Sequence, residues 1–347
     1  MIKAKKLRRG DKVAAISLSW GGAGAFAHRY EVGKQQLQER FGLQVVETRH
    51  ALREPEWLDK NPEARAEDLM EAFADPEIKA IISTIGGDDS IRLLPYIDLE
   101  VIGSHPKIFM GYSDTTISHF ACLKAGLVSF YGPAIMVSFA ENGGILPYVA
   151  SSVEKTLFSA EPVGVIEPNM EGWTVERLDW AVPENQSRKR KLTPASGWRF
   201  LQGQGIVQGR LIGGCIEVIP WLKETALWPD KDVWEGAILF LETSEEAPPP
   251  IYVARELRSY AAMGILPKLS GILFARPGGD VPPNKFIDYD QAILKVVAEE
   301  EGLTELPIIT HMDFGHTEPI FILPLGVQAQ IDCERKELAI IENAVVE

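Results

Sequence analysis

The serine of the pentapeptide Gly111-Tyr112-Ser113-Asp114-Thr115 has the surroundings of an enzyme nucleophile. Residues 107–110 indicate a short buried strand, and residues 115–124 indicate a helix with apolar side chains near one face. A serine at such a corner holds its hydroxyl clear of the sheet, beside the free N–H groups of the first helical turn. Because Thr115 replaces the second glycine of G-x-S-x-G, the match is incomplete. A serine that caps an ordinary helix is the alternative.

A serine nucleophile needs a general base, and the chain has six histidines. His119 lies about one and a half turns along the predicted helix from Ser113, so it points elsewhere. His105 precedes the predicted strand and should lie at its opposite end. No partner is evident for His28 or His50.

The remaining histidines, His311 and His316, share the segment 310–319. His316 follows a glycine in a loop between predicted strands, where an imidazole can project into a cleft. The base must itself be oriented by an acid, and Glu242 ends an apolar strand predicted at 237–241. Taken alone, Glu242 is explained more simply as a strand-end acid exposed to water. A histidine bonded to a backbone carbonyl is the corresponding alternative for His316.

The elements that must position these residues alternate through the first half of the chain. Apolar runs predict strands at 13–19, 43–48, 80–85 and 108–110. Periodic segments predict helices at 30–41, 62–73, 90–96 and 115–125. This rhythm predicts an α/β fold with a doubly wound parallel sheet of the flavodoxin-like kind. The glycine-bearing segments 19–22, 85–88 and 111–113 would meet at the carboxyl ends of its strands, where such sheets bind ligands.

The alternation stops between about residues 164 and 205. This segment holds Trp173, Trp180, Trp198 and the basic run Arg188–Lys191, which is more simply a solvated face than a phosphate clamp. Beyond it, strands are predicted at 237–241, 271–275, 308–310, 320–323, 328–331 and 338–341, with helices at 250–263 and 289–300. We therefore predict an N-terminal α/β domain (1–165), a Trp-rich connection (166–204) and a β-rich α/β domain (205–347).

The composition excludes some partners and locations. A formal net charge of −14 makes nucleic acid an unfavourable partner, because phosphate backbones need compensating Lys and Arg. The apolar run that follows the basic start is too short for a signal-peptide core, and no stretch approaches the length of a membrane span. Cys122, Cys215 and Cys333 are odd in number and scattered, so neither a disulfide framework nor a Cys-based zinc site is indicated. We expect a cytoplasmic, reducing location.

Three other functions fit parts of the sequence. Residues 22–27 fit G-x-G-x-x-A after the first strand, and Glu47 ends the next one, as in dinucleotide-binding folds. That geometry needs a helix to start within the glycines, whereas helical periodicity begins only near Tyr30. A metal hydrolase could use His311, Asp313 and His316. Along an extended strand, His311 and Asp313 would lie on one face, but His316 would lie on the opposite face. A non-catalytic protein that captures nucleotide-like ligands with its tryptophans is the third.

Over nearly its whole length, the chain resembles the serine carboxypeptidase family of LD-carboxypeptidases and microcin C self-immunity peptidases. The shared segments are Gly-Tyr-Ser-Asp at 111–114, Leu-Ile-Gly-Gly at 211–214, Leu-Glu-Thr-Ser at 241–244 and Gly-His-Thr at 315–317. The resemblance implies nucleophile Ser113, base His316 and orienting acid Glu242. It also implies an oxyanion hole made by the Asp114 amide and one from Gly86 or Gly87. Gly213 and Gly214 are expected to border the substrate.

The resemblance implies hydrolysis of an amide through an acyl-enzyme, with no metal or cofactor, by a homodimer. One branch of the family removes terminal D-alanine from murein tetrapeptides, and the other cleaves aminoacyl-nucleotide compounds. This chain is more similar to the second branch, through Ser19-Trp20-Gly21-Gly22, the Trp-rich connection and residues 197–203. There, Trp173 or Trp180 would stack on the base, unless they instead cover the core between the domains.

Overall fold

The computed structural model describes residues 1–347 and contains two β-sheets. The strands of the first half are β1 (Lys12–Ile16), β2 (Gln44–Glu47), β3 (Ile78–Ser83), β4 (Ile108–Gly111), β5 (Ser129–Tyr131) and β6 (Gly164–Ile166). Those of the second half are β7 (Arg199–Gln202), β8 (Ile206–Cys215), β9 (Ile238–Glu242), β10 (Gly271–Ala275), β11 (Ile308–Met312), β12 (Leu323–Leu325), β13 (Gln328–Asp332) and β14 (Glu337–Ile340).

The helices pack around the sheets. They are α1 (Gly22–Ala25), α2 (Ala27–Phe41), α3 (Pro55–Lys60), α4 (Pro62–Ala74), α5 (Leu99–Ser104), α6 (Thr116–Lys124), α7 (Pro147–Leu157), α8 (Pro250–Ala262) and α9 (Phe286–Leu294). Proline in the first turn of α3, α4, α7 and α8 costs no hydrogen bond there, because the first helical N–H groups have no intrahelical acceptor. None of the helices combines the length and apolar character needed to cross a membrane.

The N-terminal sheet has the strand order β12-β5-β4-β3-β1-β2, in which β1 to β5 are parallel. The order β2-β1-β3-β4-β5 is that of flavodoxin-like folds, which confirms the predicted class. The order reverses between β1 and β3, so the segments after these two strands border a crevice at the sheet's carboxyl edge. The segment after β4, which begins with Tyr112 and Ser113, leaves from the same edge.

The C-terminal sheet has the order β6-β14-β13-β8-β9-β10-β11-β7, with a parallel centre from β8 to β11. Antiparallel strands extend both sides of this centre. This arrangement confirms the predicted β-rich α/β fold. Glu242 is the last residue of β9, and the segment after β11 carries His316. The acid and the base therefore leave the same edge of this sheet.

The two sheets share their apolar core and exchange short strands. Met110 and Phe240, from the two sheets, belong to one buried cluster, and Phe120 and Leu239 belong to the other. Strand β12 joins the N-terminal sheet beside β5, whereas β6 joins the C-terminal sheet beside β14. The domain boundaries at 165 and 205 remain a prediction. Strand β6 from the first half of the chain and β12 from the second each join the sheet of the other half.

Some predicted elements differ from the structure. Residues 90–96 form a 3₁₀ helix rather than an α-helix, and Pro95 inside it has no N–H to donate to an intrahelical bond. The strand predicted at 320–323 is β12, at 323–325, and the helix predicted at 289–300 begins at Phe286 and ends in a π-helical segment. The connection predicted to be irregular contains β7, which pairs with β11 about a hundred residues later.

Candidate active site

Ser113 lies at the corner between β4 and α6, as the sequence predicts. Its backbone φ of +64° lies in the left-handed region that residues with a Cβ rarely adopt. A 3₁₀ turn, Ser113–Thr115, leads into α6, and the Thr116 hydroxyl donates to the Ser113 carbonyl at 2.6 Å. The strained corner presents the partly exposed hydroxyl at the sheet's carboxyl edge.

His316 bridges the serine and a buried acid. Its Nε2 lies 3.1 Å from Ser113 Oγ, and its Nδ1 lies 2.6 Å from Glu242 Oε2. Glu242 is fully buried, so the simpler explanation of an exposed strand-end acid is wrong. The ring of Tyr112 packs against the imidazole edge-on, with the ring centres 4.9 Å apart. The contacts join a hydroxyl, an imidazole and a carboxylate from three separated segments, in the order that a predicted nucleophile, base and acid require.

Tyr131, at the end of β5, joins the two ends of this chain. Its hydroxyl donates to Glu242 Oε1 at 2.5 Å and accepts the Ser113 N–H at 3.0 Å. Burial, together with the nearby Glu242 charge, raises the pKa of Tyr131 well above its ordinary value, so the phenol stays a neutral donor. Both carboxylate oxygens of Glu242 therefore have partners, one on His316 and one on Tyr131.

Three backbone amides around Ser113 donate no hydrogen bond to the protein: those of Gly86, Gly87 and Asp114. A Cβ at position 86 would lie 3.0 Å from Ser113 Oγ and 3.5 Å from the Asp114 nitrogen, so only glycine leaves this space open. The Asp114 carboxylate accepts the Ser90 N–H at 2.8 Å, which ties the glycine loop to the serine corner. The oxyanion hole that the family resemblance implies at these amides remains a prediction.

A second carboxylate reaches the imidazole from the segment after β9. Glu245 Oε2 lies 3.1 Å from His316 Nε2, and Arg177 lies 3.3 Å from the other oxygen of Glu245. Burial alone would lower the pKa of His316, but the charges and hydrogen bonds of Glu242 and Glu245 outweigh it and raise the pKa to about 10. In this conformation, the two carboxylates favour the imidazolium form of His316.

Three of the other histidines have structural partners. His119 is buried, with its ring nitrogens 2.9 Å from Ser129 Oγ and 2.9 Å from the Gly111 carbonyl oxygen. His50, for which the sequence offered no partner, lies 2.9 Å from an oxygen of Asp68. His105 Nδ1 lies 3.0 Å from the carbonyl oxygen of its own helix's Val101. These contacts leave His316 as the imidazole that reaches Ser113.

The three residues of the metal-hydrolase hypothesis have separate partners. Asp313 pairs with Arg276 at 2.7 Å, and His311 lies 3.3 Å from Asp290. His316 is held by the two glutamates described above. No group of three or more His, Cys, Asp or Glu side chains is arranged to hold a metal ion.

The glycines of the dinucleotide-binding hypothesis pack against protein backbone. A helix does start at Gly22, contrary to the periodicity argument, but α1 is only four residues long. A Cβ at Gly24 would lie 2.5 Å from the Arg53 carbonyl oxygen, which explains why a glycine stands there. Glu47 accepts hydrogen bonds from Tyr30 and Lys34, so its carboxylate is engaged within the protein.

Trp180 belongs to an aromatic group beside the site. Its ring stacks on Trp20 with the ring centres 6.4 Å apart, and the Arg29 guanidinium lies 4.4 Å from its ring centre. The backbone N–H of Trp20 donates to the Gly86 carbonyl, and Trp20 remains 37% exposed. Trp173, in contrast, is buried against Phe286 and Arg276. A stacking role therefore fits Trp180 better than Trp173, and both remain predictions.

Gly213 and Gly214 lie at the end of β8, against protein atoms. A Cβ at Gly213 would lie 1.7 Å from the Phe240 carbonyl oxygen, and one at Gly214 would lie 2.6 Å from the Thr116 side chain. Since Thr116 bonds the Ser113 carbonyl, this close approach packs the C-terminal sheet against the nucleophile corner. Their predicted contact with substrate remains a prediction.

The basic run at 188–191 is only partly a solvated face. Arg188 and Lys189 are exposed, but the Arg190 guanidinium is buried and forms a two-point ion pair with Glu141. Arg29 and Glu318 lie in the same cluster. We call these four residues, Arg29, Glu141, Arg190 and Glu318, the loop anchor. They fasten the Trp-rich connection beside the site.

Sequence reasoning missed Tyr131 and Glu245, whereas Trp20 lies in the segment 19–22 that it placed at the carboxyl edge of the sheet. Glu245 stands only three residues after Glu242, and this proximity could have drawn attention to it. No local signal marks Tyr131, because its partner is 111 residues away. With them, the site contains a serine hydroxyl, an imidazole, buried carboxyl groups, free amides and an aromatic surface.

The chain belongs to the LD-carboxypeptidase family. Residues 13–132 match the LD-carboxypeptidase N-terminal domain, and residues 208–331 match the LD-carboxypeptidase C-terminal domain. The protein is therefore a hydrolase of the carboxypeptidase class, and the resemblance seen in the sequence is confirmed.

Within the family, its relatives include microcin immunity proteins. The chain is 30% identical to the microcin C7 self-immunity protein MccF of Escherichia coli, over 98% of this chain and 96% of that protein. It superimposes with a TM-score of 0.86 on MccF in complex with aspartyl sulfamoyl adenosine (29% identity, 99% and 100% coverage). An MccF-like protein from Streptococcus pneumoniae in complex with AMP gives 0.85 (30% identity, 95% and 98% coverage).

Proposed function

We propose that this protein is a serine amidase that hydrolyses aminoacyl-nucleotide compounds through an acyl-enzyme on Ser113. The observation that carries the proposal is the contact chain from Ser113 Oγ to His316 Nε2 (3.1 Å) and from His316 Nδ1 to Glu242 (2.6 Å). Each contact falls within the reach that proton transfer and imidazole orientation require.

The chemistry uses groups of the chain alone. Neutral His316 takes the Ser113 proton as the oxygen attacks the amide carbonyl, and Glu242 stabilises the imidazolium that forms. The imidazolium then gives its proton to the leaving nitrogen as the C–N bond breaks. A water molecule, deprotonated by His316, attacks the acyl-enzyme and releases the acid.

The free amides supply the electrostatic part of the proposal. The Asp114 N–H and one from Gly86 or Gly87 would donate to the oxyanion of each tetrahedral intermediate. Removal of one such donor in other hydrolases costs about 3 kcal/mol of transition-state stabilisation. Because the glycine loop and the serine corner are hydrogen-bonded together, these donors are positioned before the substrate arrives.

The nucleotide half of the proposal is supported by the aromatic group. Trp20 and Trp180 offer a partly exposed indole surface beside Gly86, and base–aromatic stacking contributes about 1–3 kcal/mol. The complexes of similar proteins with aspartyl sulfamoyl adenosine and AMP support the same class of ligand. A cytoplasmic location and a homodimer are parts of the proposal that rest on the family resemblance and on the composition.

The second candidate is an LD-carboxypeptidase that removes terminal D-alanine from murein tetrapeptides. It is favoured by the description of the matching family, and it would use the same three residues. The two candidates differ in the group that is expelled when the acyl-enzyme forms, which is a nucleotide portion in one and an amino acid in the other.

Mass spectrometry of two parallel digests tests the proposal. One contains aspartyl sulfamoyl adenosine and the other a murein tetrapeptide, each with wild type, Ser113→Ala and the surface control Ser104→Ala. We expect wild type and Ser104→Ala to release the nucleotide portion, and Ser113→Ala to lose at least about 10³-fold in rate. Serine-dependent loss of D-alanine alone would establish the second candidate instead. Turnover of either compound by Ser113→Ala at the wild-type rate would refute both.

A further inference from the structure

One nitrogen of His316 faces two competing partners. Ser113 Oγ and Glu245 Oε2 each lie 3.1 Å from Nε2, which can carry only one hydrogen. When that hydrogen is directed to Glu245, the ring is an imidazolium and cannot accept the proton of Ser113. With the hydrogen in that position, the site is at rest: Glu245, which is not one of the three proposed catalytic residues, keeps His316 from acting as the base.

Groups from every neighbouring element favour this arrangement. His316 faces Glu242 on β9, Glu245 after β9, the half-buried Glu217 after β8, and the Tyr112 ring. In turn, the hydrogen bond from His316 lowers the pKa of Glu245 to about 2. Three carboxyl groups thus surround one imidazolium, and a further anionic group placed here would be repelled.

The Glu245 backbone is fixed, whereas its side chain has room to rotate. A Cβ at Gly278 would lie 2.6 Å from the Ser244 carbonyl oxygen, and one at Gly279 would lie 2.5 Å from the Glu245 carbonyl oxygen. These contacts pack the segment after β10 tightly on the one that carries Glu245. The Glu245 side chain is nevertheless 44% exposed, and its other partner, Arg177, is 70% exposed.

We propose that Glu245 determines specificity by binding a positively charged group on the acyl part of the substrate, and that it releases His316 when it does so. This inference rests on the proposed function and adds which acyl groups the site prefers. The preferred substrates are amides whose acyl residue carries a free ammonium group near the scissile carbonyl, rather than N-acylated ones. The substrate ammonium replaces the imidazolium as the partner of Glu245, so His316 gives its Nε2 proton to water, becomes neutral and can act as the base.

A pair of substrates that differ in one charge tests this specificity. Aspartyl sulfamoyl adenosine and its Nα-acetyl derivative are compared by kcat/KM at pH 7 in wild type, Glu245→Gln and Glu246→Gln. Glu246 is the matched control, since it is the adjacent exposed acid and forms no ion pair. We expect wild type and Glu246→Gln to prefer the free amine by about tenfold, and Glu245→Gln to prefer it by less than about twofold. An unchanged preference in Glu245→Gln would overturn the inference.

A neutral fluorophosphonate tests the release of His316 without any amide substrate. Labelling forms a bond between Ser113 Oγ and phosphorus, expels fluoride and passes the serine proton to His316. We expect Glu245→Gln to be labelled about tenfold faster than wild type at pH 7, and Glu246→Gln to be labelled at the wild-type rate. Equal rates for wild type and Glu245→Gln would overturn the inference.

Failure of the proposed function can be distinguished from failure of the inference about Glu245. Labelling of Ser113→Ala at the wild-type rate, or hydrolysis of neither amide, refutes the proposed function. If neither amide is hydrolysed but Ser113→Ala is not labelled, Glu245 is judged by the labelling rates alone, because these depend on His316 and not on the identity of the substrate. Labelling of Ser113→Ala at the wild-type rate overturns the inference as well. Faster labelling of Glu245→Gln with an unchanged substrate preference would show that Glu245 holds His316 but does not bind the substrate, and this would also overturn the inference.

Discussion

Two groups of buried charged side chains lie where the N-terminal domain, the connection and the C-terminal domain meet. They differ in whether every buried carboxylate oxygen has a hydrogen-bond donor. In the site, both oxygens of Glu242 have hydrogen-bond donors, Tyr131 and His316. In the loop anchor, Glu318 accepts a bond from Ser138 on one oxygen, whereas its other oxygen is buried without a partner. The first group fixes one imidazole orientation, as catalysis requires. The second holds a segment in place and tolerates an unsatisfied atom.

The difference predicts that loss of charge in the site affects turnover far more than stability. Glu242→Gln keeps the size of the side chain but removes the charge that stabilises the imidazolium and selects its tautomer. We expect kcat to fall by about 10⁴-fold, while the urea midpoint changes little. Steady-state kinetics and urea unfolding measure the two effects. Retention of more than a tenth of the wild-type kcat would show that Glu242 does not orient the base.

In the loop anchor the reverse is expected. Arg190→Met leaves the Glu141 carboxylate buried and unpaired, and breaking a buried pair in this way costs about 3–5 kcal/mol in the free energy of unfolding. The matched control is Arg188→Met, because Arg188 forms only an exposed pair with Glu176 and its loss should leave the free energy of unfolding nearly unchanged. Urea unfolding measures both. Equal losses in the two variants would contradict the distinction.

These two regions also differ in how far the sequence predicts them. The corner at Ser113, Glu242 at a strand end and the loop position of His316 follow from local patterns, and the family resemblance joins them. Tyr131 lies on a three-residue strand that has no periodicity to detect. Arg190 stands in a run of basic residues that locally resembles a solvated face, and its burial depends on Glu141, 49 residues away.

The flavodoxin-like strand order was predictable because alternating strands and helices permit few topologies. The exchange of β6 and β12 between the sheets was not, since these strands have three residues each and their partners lie far along the chain. Glu245 was missed for another reason. An acid in a polar segment is ordinarily exposed, and only the packing of that segment brings it to His316.

Tyr131 donates the hydrogen bond that satisfies the second carboxylate oxygen of Glu242. Tyr131→Phe leaves one oxygen of Glu242 without its donor and the Ser113 N–H without its acceptor. A hydrogen bond to a charged group contributes about 1.5–3 kcal/mol, so we expect kcat to fall about 10- to 100-fold with KM nearly unchanged. The control is Tyr148→Phe, which removes a hydroxyl bonded to the Glu167 carbonyl. If both variants keep the wild-type kcat, the hydroxyl of Tyr131 has no role in positioning.

The unpaired oxygen of Glu318 should make the stability of the loop anchor depend on pH. Burial raises the pKa of this carboxyl to about 7, so between about pH 4.5 and 7 the folded protein holds a proton that the unfolded chain has released. The contribution of Glu318 to stability is therefore complete below that range and decreases as the pH rises through it. Relative to Glu318→Gln, we expect wild type to lose about 2 kcal/mol in the free energy of unfolding between pH 5 and pH 8. Urea unfolding at both pH values measures this, with Glu154→Gln as the control for an exposed carboxyl. A difference between wild type and Glu318→Gln that is the same at both pH values would mean that the buried oxygen does not bind a proton in this range.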